Sequence, residues 1–530
     1  MKNIFCFILF LFSSLNGLFA QDYDLPAVIS WGEELREPGN AYLSKIIAAG
    51  SYGFYALRLK KGTLTNEDIA YVEYYNSDNK LKRSQKLDLK YKGKKREFED
   101  MIMFGGNIYL LTSFNNEAKK KNYLFSQKLS DRLLPSRNLE MIAEIDTRSK
   151  YREGTFNFIL SRDSSKMLIY NQLPYQRNEP ERFALRVYND QFEPMWNKDI
   201  VLPYNDDRFS IEEYRVDKDG NVYLLGVSYQ DKFRTRRQGK PTYTYSILAY
   251  TNAGEDFEEY RIDLTDKFIT DLTFRVADDG NLICSGLYSE KGTYSVKGTY
   301  FFRLNAKSKE VYNVNLKPFD FDFLTEYMSE GQRNRAQKAE EAGNEKRAPE
   351  LYRYALNDLV LRSDGGAVLV AEQYYIYEQS FYDYAGIRQS RYFYNYNDII
   401  VVNIRPTGEI EWATRIPKRQ ETLNDGGYFS SYAMSIVRDK IYFIYNDNAR
   451  NFGQDPDKRR RIHYFNGKYS IVALAEIRKD GELTTYPLFT NRDADILTRP
   501  KICKQTGSRR MLVYGERGRQ YRFASLRFTE

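Results

Sequence analysis

The sequence predicts an all-β fold built from an array of short repeated units. The clearest unit runs from Ile211 to Gly226, where two strand-like stretches, IEEYRV and VYLLG, flank an Asp-Gly turn. The same pattern returns from Leu272 to Gly286 and from Leu356 to Ala371. The composition agrees, because the 46 Tyr and 33 Phe residues are of types that favour strands. Repeats of this length indicate an array of small β units.

The first twenty residues have the features of a secretory signal peptide. Lys2 gives a positive start, residues 4–12 are apolar, and residues 17–20 (Gly-Leu-Phe-Ala) form a plausible cleavage site. We therefore expect a signal peptide at 1–20 and one repeat domain at 21–530. The chain should be exported, to the periplasm, the cell envelope or the exterior. No later stretch reaches ~18 apolar residues, so we expect no membrane-spanning segment.

The charge balance and the cysteine content exclude several classes of protein. The formal net charge is +8 over the whole chain, spread among many acidic residues, which does not indicate a nucleic-acid-binding protein. Cys284 and Cys503 are the two cysteines that lie beyond the signal peptide. A chain of this size with so few cysteines is not a disulfide scaffold, and we expect two free buried thiols rather than a bridge.

Each repeat divides into four strands, which we name a to d in chain order. Repeats begin near Tyr42, Phe98, Thr155, Phe209, Phe268, Leu356 and Tyr428. A last, partial repeat from Pro500 to Phe528 supplies only strands a, b and c. The missing d strand has a candidate at Ala27 to Leu35, whose pairing with the C-terminal strands would close a ring. The prediction is a single β-propeller of about eight four-stranded blades, with seven as the alternative.

The blade pattern DxDGN-x-Y-x-x-G resembles that of secreted bacterial propeller proteins. Three runs in the middle of the chain also resemble an uncharacterised family of exported proteins from the Bacteroidetes. They are FLTEYMSEGQRNRAQKA (323–339), SDGGAVLVAEQYY (363–375) and NDIIVVNIRPTGEIEWATRIPK (397–418). The resemblance implies a propeller fold and export, and it brings no catalytic residues.

One segment breaks the β pattern. Residues 323–342 are rich in helix formers and almost free of β-branched residues. We expect a single helix of roughly four turns, inserted in the propeller and ending near Gly343.

The long connections should gather on one face of the disc. Strands alternate in direction, so the b–c and d–a connections leave on one face and the a–b and c–d connections on the other. Most a–b turns are short, whereas the b–c connections at 231–242, 378–394 and 447–468 are long. We interpret these three as loops, and loops on a rigid scaffold commonly carry binding sites.

The long connections combine aromatic residues with arginines, a chemistry typical of protein-binding hot spots. Tyr faces also suit sugar rings. The candidate partner-binding residues are Arg234, Arg236, Arg237, Tyr382, Tyr384, Arg388, Arg391, Tyr392, Arg459, Arg460, Arg461 and Tyr464.

The sequence offers no catalytic, cofactor-binding or metal-binding constellation. His463 is the single histidine, which argues against zinc clusters and most His-paired nucleophiles. The Asp217 turn begins like a calcium loop, but Val222 and Ser228 occupy the positions where an EF-hand needs Gly and Glu. Basic neighbours should depress the protonation of His463.

The sequence thus favours a non-enzymatic propeller that requires no cofactor and acts as a protein-binding scaffold in the periplasm or cell envelope. An accessory role in outer-membrane or secretion machinery is consistent with that location. The alternative is a propeller that binds or processes glycans, with acidic and Tyr residues at its central funnel. Convergence of two or more carboxylates in the funnel would favour this alternative.

Overall fold

The computed structural model describes residues 24–60, 62, 68–147, 154–172, 180–205, 208–230, 235–237, 239–264, 267–306, 308–344, 346–382, 384, 387–454 and 461–529. These residues form eight antiparallel sheets of four or five strands, with minor two-stranded ribbons between them. The sheets are the blades of a β-propeller, and there are eight of them, as the repeat pattern predicts. The predicted signal peptide lies outside the described residues.

Blades 1 to 4 follow one another along the N-terminal half. Blade 1 contains Tyr42–Gly50, Gly53–Lys60, Ile69–Asn76 and Leu81–Lys86. Blade 2 contains Glu97–Phe104, Asn107–Asn116, Lys121–Lys128 and Glu140–Asp146. Blade 3 contains Asn157–Leu160, Lys166–Gln172, Pro180–Asn189 and Pro194–Asn205. Blade 4 contains Phe209–Val216, Val222–Tyr229, Tyr243–Thr251 and Asp256–Ile262.

Blades 5 to 8 complete the array. Blade 5 contains Phe268–Val276, Leu282–Ser289, Gly298–Leu304 and Val311–Pro318. Blade 6 contains Tyr354–Leu361, Ala367–Tyr382, Arg388–Ile404 and Ile410–Leu423. Blade 7 contains Ala433–Val437, Lys440–Asn448, Ser470–Ile477 and Leu483–Thr490. Blade 8 contains Leu497–Thr498 and Lys504–Gly507, then Arg510–Arg517, Gln520–Phe528 and Ala27–Arg36.

Short elements occupy the connections. The two-residue strands are Lys90–Tyr91, Lys94–Lys95, Arg236–Arg237, Lys240–Pro241, Ser295–Val296 and Leu351–Tyr352. Single 3-10 turns occur at Pro38–Asn40, Ala449–Asn451, Gly467–Tyr469 and Pro500–Ile502. Two α-helices, α1 (Phe321–Thr325) and α2 (Glu330–Glu341), form the insertion between blades 5 and 6.

The N-terminal strand completes the last blade, as the three-strand C-terminal remnant predicts. Ala27 lies opposite Phe528 and Leu35 opposite Tyr521, with a register shift between Trp31 and Glu34. Buried side chains of blade 8 also form one cluster with those of blade 1, including Leu512 and Leu43. Similar clusters join every other consecutive pair of blades. The core is therefore a ring of inter-blade layers, as expected when each sheet must bury its faces against its neighbours.

The helical insertion differs from the prediction of one continuous helix. Ser329 has extended backbone angles, so one continuous helix cannot run through this position. Its Oγ accepts a hydrogen bond from the Gln332 backbone at 3.3 Å, while the Gln332 side chain accepts one from the Ser329 N–H at 2.9 Å. This reciprocal capping box starts a new helix. The sequence motif Ser-Glu-Gly-Gln carries that signal, which helix propensity alone does not show.

Two further findings concern the cysteines and the helices. Cys284 and Cys503 are buried free thiols in different inter-blade clusters. Burial raises the pKa of Cys503 to about 12 and raises that of Cys284 as well, which favours the protonated thiol at neutral pH. Within the described ranges, no helix is long and apolar enough to cross a membrane.

Candidate interaction surface on the loop face

The b–c and d–a connections lie together on one face, which we call the loop face. Arg236, between strands b and c of blade 4, donates from Nη1 to the Lys291 carbonyl of blade 5 at 2.8 Å. The Lys291 ammonium in turn contacts the Ala348 carbonyl of the helical insertion. Ser295–Val296 pairs with Leu351–Tyr352, which ties a b–c connection to the end of the insertion. These contacts bring the connections of blades 4 and 5 together with the helical insertion, which is one part of the predicted grouping.

The opposite face, which we call the turn face, carries tight turns. In blade 4, Asp217 accepts hydrogen bonds from the backbone of Asp219 and Asn221, each at 2.9 Å. Gly220 has φ +87°, which favours glycine there. The Asp217 carboxylate is thus engaged in shaping the turn, as the rejection of a calcium loop implies. No group of three or more His, Cys, Asp and Glu residues able to hold a metal occurs in the part of the chain described.

The b–c connection of blade 6 is a β-hairpin on the loop face. Strands Ala367–Tyr382 and Arg388–Ile404 pair continuously from Tyr374 opposite Tyr396 to Tyr382 opposite Arg388. The sequence interpretation of residues 378–394 as a loop was therefore wrong. Residues 374–382 and 388–396 are rich in Tyr and Phe and contain no Pro or Gly. This local β preference carries both strands beyond the expected blade length. We call residues 374–396 the blade 6 hairpin.

One face of this hairpin is a band of aromatic rings. Tyr377 and Phe393 lie opposite each other with ring centroids 6.0 Å apart, and Tyr377 is 57% exposed. Nearer the tip, the Arg391 guanidinium lies 4.4 Å from the Phe381 ring centroid. Nearer the base, the ring centroids of Tyr375 and Tyr352 lie 6.3 Å apart. A ribbon of two strands gains little stability from its own contacts in water, which makes this band the candidate interaction surface of the loop face.

A buried ionic network anchors the base of the hairpin. The Lys418 side chain is fully buried, and its Nζ donates to Glu372 Oε1 at 2.7 Å and to the Tyr396 carbonyl at 2.8 Å. Burial lowers the pKa of Lys418, whereas the negative charge of Glu372 opposes that change. The Ser431 hydroxyl donates to the other Glu372 oxygen at 2.7 Å. The network fixes strands b, c and d of blade 6 where the hairpin leaves the propeller.

The structure groups most of the predicted binding residues and separates two. Tyr382, Tyr384, Arg388, Arg391 and Tyr392 all belong to the blade 6 hairpin and are exposed. Arg236 and Arg237 are exposed on the blade 4 connection, with blade 5 between them and the hairpin. Arg234, Arg459 and Arg460 lie outside the described residues.

Arg461 and Tyr464 lie on the long connection of blade 7 beside the blade 6 hairpin. The Phe465 N–H donates to the Arg419 carbonyl at 2.8 Å, which ties this connection to strand d of blade 6. Tyr464 is 53% exposed. Burial lowers the pKa of neighbouring His463, with Arg461 and Arg450 adding to the effect. The expected depression of His463 protonation is confirmed, but burial is its first cause.

Two tyrosines of this surface were missed in the sequence. Tyr294, which is 62% exposed, and Tyr352, which is 49% exposed, lie near the hairpin base. The Arg353 guanidinium is stacked between them, 4.9 Å from one ring and 5.3 Å from the other. They are far apart in the chain and are brought together by the pairing of Ser295–Val296 with Leu351–Tyr352 and by the hydrogen bond from the Arg353 N–H to the Tyr294 carbonyl at 2.8 Å.

Carboxylates also converge at the central funnel, where the innermost strands of blades 4, 5 and 6 line a cavity of about 230 Å³. Arg275 bridges two of them, with Nη1 3.3 Å from Glu213 and Nη2 3.2 Å from Asp358. Asp271 accepts hydrogen bonds from the backbone of Leu272 and Leu356 at 2.9 and 2.7 Å. Glu213, Asp271 and Asp358 thus join neighbouring blades, whereas Glu212, which also lines the cavity, accepts a hydrogen bond from Ser210 of its own strand at 2.7 Å.

Asp271 should make the stability of the propeller depend on pH. Burial raises its pKa from 3.8 to about 6, and the charges of Glu212 and Glu213 add to this against the two backbone hydrogen bonds. A raised folded pKa gives stability that is complete below the unfolded pKa and is lost as pH rises to about 6. Between pH 4 and pH 7 the free energy of unfolding of the wild type should fall by up to about 3 kcal/mol more than that of the Asp271→Asn variant. Urea unfolding at both pH values measures the difference, and parallel pH profiles would contradict it.

Comparisons with known proteins found distant structural likenesses and no relative in sequence. No family model matches the chain, and no curated protein matches its sequence. Among solved structures, the WD40 domain of SCAP from fission yeast is 9% identical with a TM-score of 0.37, covering 95% of this chain and 99% of that one. The β-propeller domain of the Trilobed protease from Pyrococcus furiosus is 12% identical with a TM-score of 0.32, covering 84% and 94%. A DUF4221 family member from Bacteroides vulgatus is 9% identical with a TM-score of 0.31, covering 87% and 99%.

Proposed function

We propose that this chain is an exported, non-enzymatic scaffold whose loop face binds another protein in the periplasm or cell envelope. The observation that carries the proposal is the blade 6 hairpin, which projects aromatic rings beyond the propeller on a base fixed by buried ion pairs. Aromatic residues with flanking arginines are the side chains that most often dominate protein interfaces. The predicted signal peptide and the resemblance to exported Bacteroidetes proteins support the proposed location. The partner we propose belongs to outer-membrane or secretion machinery.

The funnel supports the glycan alternative less well. Glycoside hydrolysis needs one protonated and one ionised carboxyl group, both able to approach the sugar. Glu213 and Asp358 both contact Arg275, and both Asp271 oxygens accept backbone hydrogen bonds. Carboxylates engaged in this way suit a connection between blades better than general acid–base catalysis. Specific binding of one sugar class on a glycan array, lost in Glu213→Gln, would favour the alternative.

Truncation of the hairpin aromatics should weaken partner binding through faster dissociation. A partner isolated from solubilised envelope should dissociate at least about tenfold faster from Tyr377→Ala or Tyr382→Ala, because buried aromatic anchors determine residence time. Surface plasmon resonance measures both rates. The matched control is Tyr52→Ala, since Tyr52 is 49% exposed in the a–b turn of blade 1 on the turn face. Loss of binding in the control, with binding retained in the hairpin variants, would refute the proposal.

Charge reversal on the same face should act on association instead. Arg461→Glu should slow association and make it less sensitive to salt, because exposed charges steer the encounter rather than hold the complex. Lys218→Glu is the control, as Lys218 is exposed on an a–b turn of the opposite face. Equal association rates for Arg461→Glu and the wild type would show that the basic residues do not steer the partner.

A further inference from the structure

The outer part of strand b in the blade 6 hairpin has an open edge. Its inner neighbour, strand a, ends where Tyr354 pairs with Gln373. Beyond the backbone hydrogen bond from Tyr374 to Arg353, residues 375–382 pair only with strand c among the described residues. The side of the strand that faces away from strand c therefore has no neighbouring strand among the described residues.

Two backbone hydrogen bonds show which groups point to this edge. The Tyr374 N–H donates away from strand c, to the Arg353 carbonyl at 3.0 Å. On strand c, the Tyr392 carbonyl accepts from the Asn424 N–H at 2.9 Å, so it too points out of the hairpin. Because N–H and C=O directions alternate along a strand, every second residue faces the edge. Ile376, Glu378, Ser380 and Tyr382 thus present their N–H and C=O groups outward.

This edge lacks the features that usually prevent strand pairing. Natural edges are blunted by Pro, by Lys, by bulges or by covering loops. Residues 374–382 read YYIYEQSFY, with no Pro, Gly or Lys, and their pairing with strand c is regular throughout. The one charge, Glu378, accepts a hydrogen bond from the Ser390 hydroxyl at 2.6 Å. No backbone hydrogen bond in the described ranges engages the edge from Ile376 to Tyr382.

Cations lie at both ends of the edge. Arg353 lies at its base, where its carbonyl receives the Tyr374 N–H. Arg388 and Arg391 lie at the tip, where Arg388 donates to the Ser380 hydroxyl at 3.0 Å. A second copy of this chain would bring the same cations and a net charge of +8. An extended segment with acidic residues at its ends complements the edge better.

We propose that the blade 6 hairpin binds its partner by strand addition: an extended acidic segment of another protein pairs with the edge from Ile376 to Tyr382. Backbone hydrogen bonds supply affinity, and the flanking rings and arginines select the sequence. This rests on the proposed protein-binding function of the loop face, and it names the partner's form and charge.

Synthetic peptides test the pairing without changing the protein. The probe is a fluorescent peptide of about seven residues that alternates Val and Thr between terminal Asp residues, long enough for the edge. Fluorescence anisotropy with the full mature chain should show binding, at least about tenfold weaker when Lys replaces Asp. N-methylation of one alternate set of amides should abolish binding, and methylation of the other set should spare it. No binding of the Asp probe, or equal binding of both methylated forms, overturns the proposal.

A pair of variants at one position tests the edge itself. Ser380→Pro removes an outward N–H that the hairpin does not use, a position where an edge strand accepts proline. Ser380→Ala removes the hydroxyl and keeps the N–H. The Asp probe should lose at least about tenfold in affinity with Ser380→Pro and stay within about twofold with Ser380→Ala. Equal affinities for both variants, with unchanged melting temperatures, overturn strand addition.

The same variants separate this inference from the proposed function. If an isolated envelope partner fails to bind Tyr377→Ala but binds Ser380→Pro normally, strand addition is refuted. The proposed protein-binding function of the loop face then still stands. A partner that binds both variants normally refutes the proposed function as well. Sedimentation showing a dimer that Ser380→Pro abolishes would identify a second copy instead of an acidic segment. Binding to phosphatidylglycerol vesicles that depends on Tyr382 would identify a lipid surface and likewise overturn the proposal.

Discussion

A chain that lacks residues 1–36 should unfold roughly 10 °C below one that lacks residues 1–23. The deleted strand Ala27–Arg36 is the outer strand of blade 8 and pairs with Gln520–Phe528 along most of its length. Its loss exposes the full edge of that strand, which can then pair with other chains. It also removes Trp31, whose ring packs edge-on against Phe489 with centroids 5.3 Å apart. Thermal unfolding followed by circular dichroism measures the effect.

Two controls make this result specific to the closing strand. Removal of residues 1–23 alone should leave the melting temperature unchanged, because it spares the strand and the hydrogen bond from the Thr529 N–H to the Pro26 carbonyl. Trp31→Ala should lower the melting temperature by less than the deletion, since it removes only the ring contacts. Equal melting temperatures for the two truncated chains would show that the ring does not depend on its N-terminal strand.

The fold could be predicted from the sequence because its determinants are local. Asp-Gly turns between alternating runs mark the a–b pairs of blades 4, 5 and 6, and the three-strand C-terminal remnant implies a strand supplied from elsewhere. The break at Ser329 was also a local signal, but helix propensity over the longer segment obscured it. The hairpin at 378–394 was interpreted as a loop, because the expected blade length was applied to strands that continue past it.

The candidate site was predictable only where its residues are neighbours in the chain. The hairpin tyrosines and arginines stand out by composition, whereas Tyr294 and Tyr352 come together through a pairing between two distant connections. The Arg275 bridge between Glu213 and Asp358 joins three blades. The geometry of this bridge depends on the pairing register of each innermost strand. The sequence of a strand does not specify that register without the strand it pairs with.

Lys418→Met should destabilise the propeller by about 3 to 5 kcal/mol, because it leaves the Glu372 charge buried without its partner. Lys418 Nζ also donates to the side chain of Gln420 at 3.1 Å, so the substitution removes three hydrogen bonds from one buried site. Methionine matches the length of the lysine side chain, which keeps the change in packing small. Urea unfolding at pH 7 measures the loss of free energy. The matched surface variant Lys82→Met, at an exposed position of strand Leu81–Lys86 in blade 1, should stay within about 0.5 kcal/mol of the wild type.

The double variant Lys418→Met/Glu372→Gln separates the buried charge from the packing. Removing both charges should restore much of the lost stability, because no unpaired ion then remains in the interior. The restored protein tests function as well, since the network fixes the base of the blade 6 hairpin. Partner binding should weaken in Lys418→Met and recover in the double variant if the ionic network acts by positioning the hairpin. A double variant as unstable as Lys418→Met would show instead that the hydrogen bonds to Gln420 and Tyr396, rather than the charge on Glu372, account for the loss.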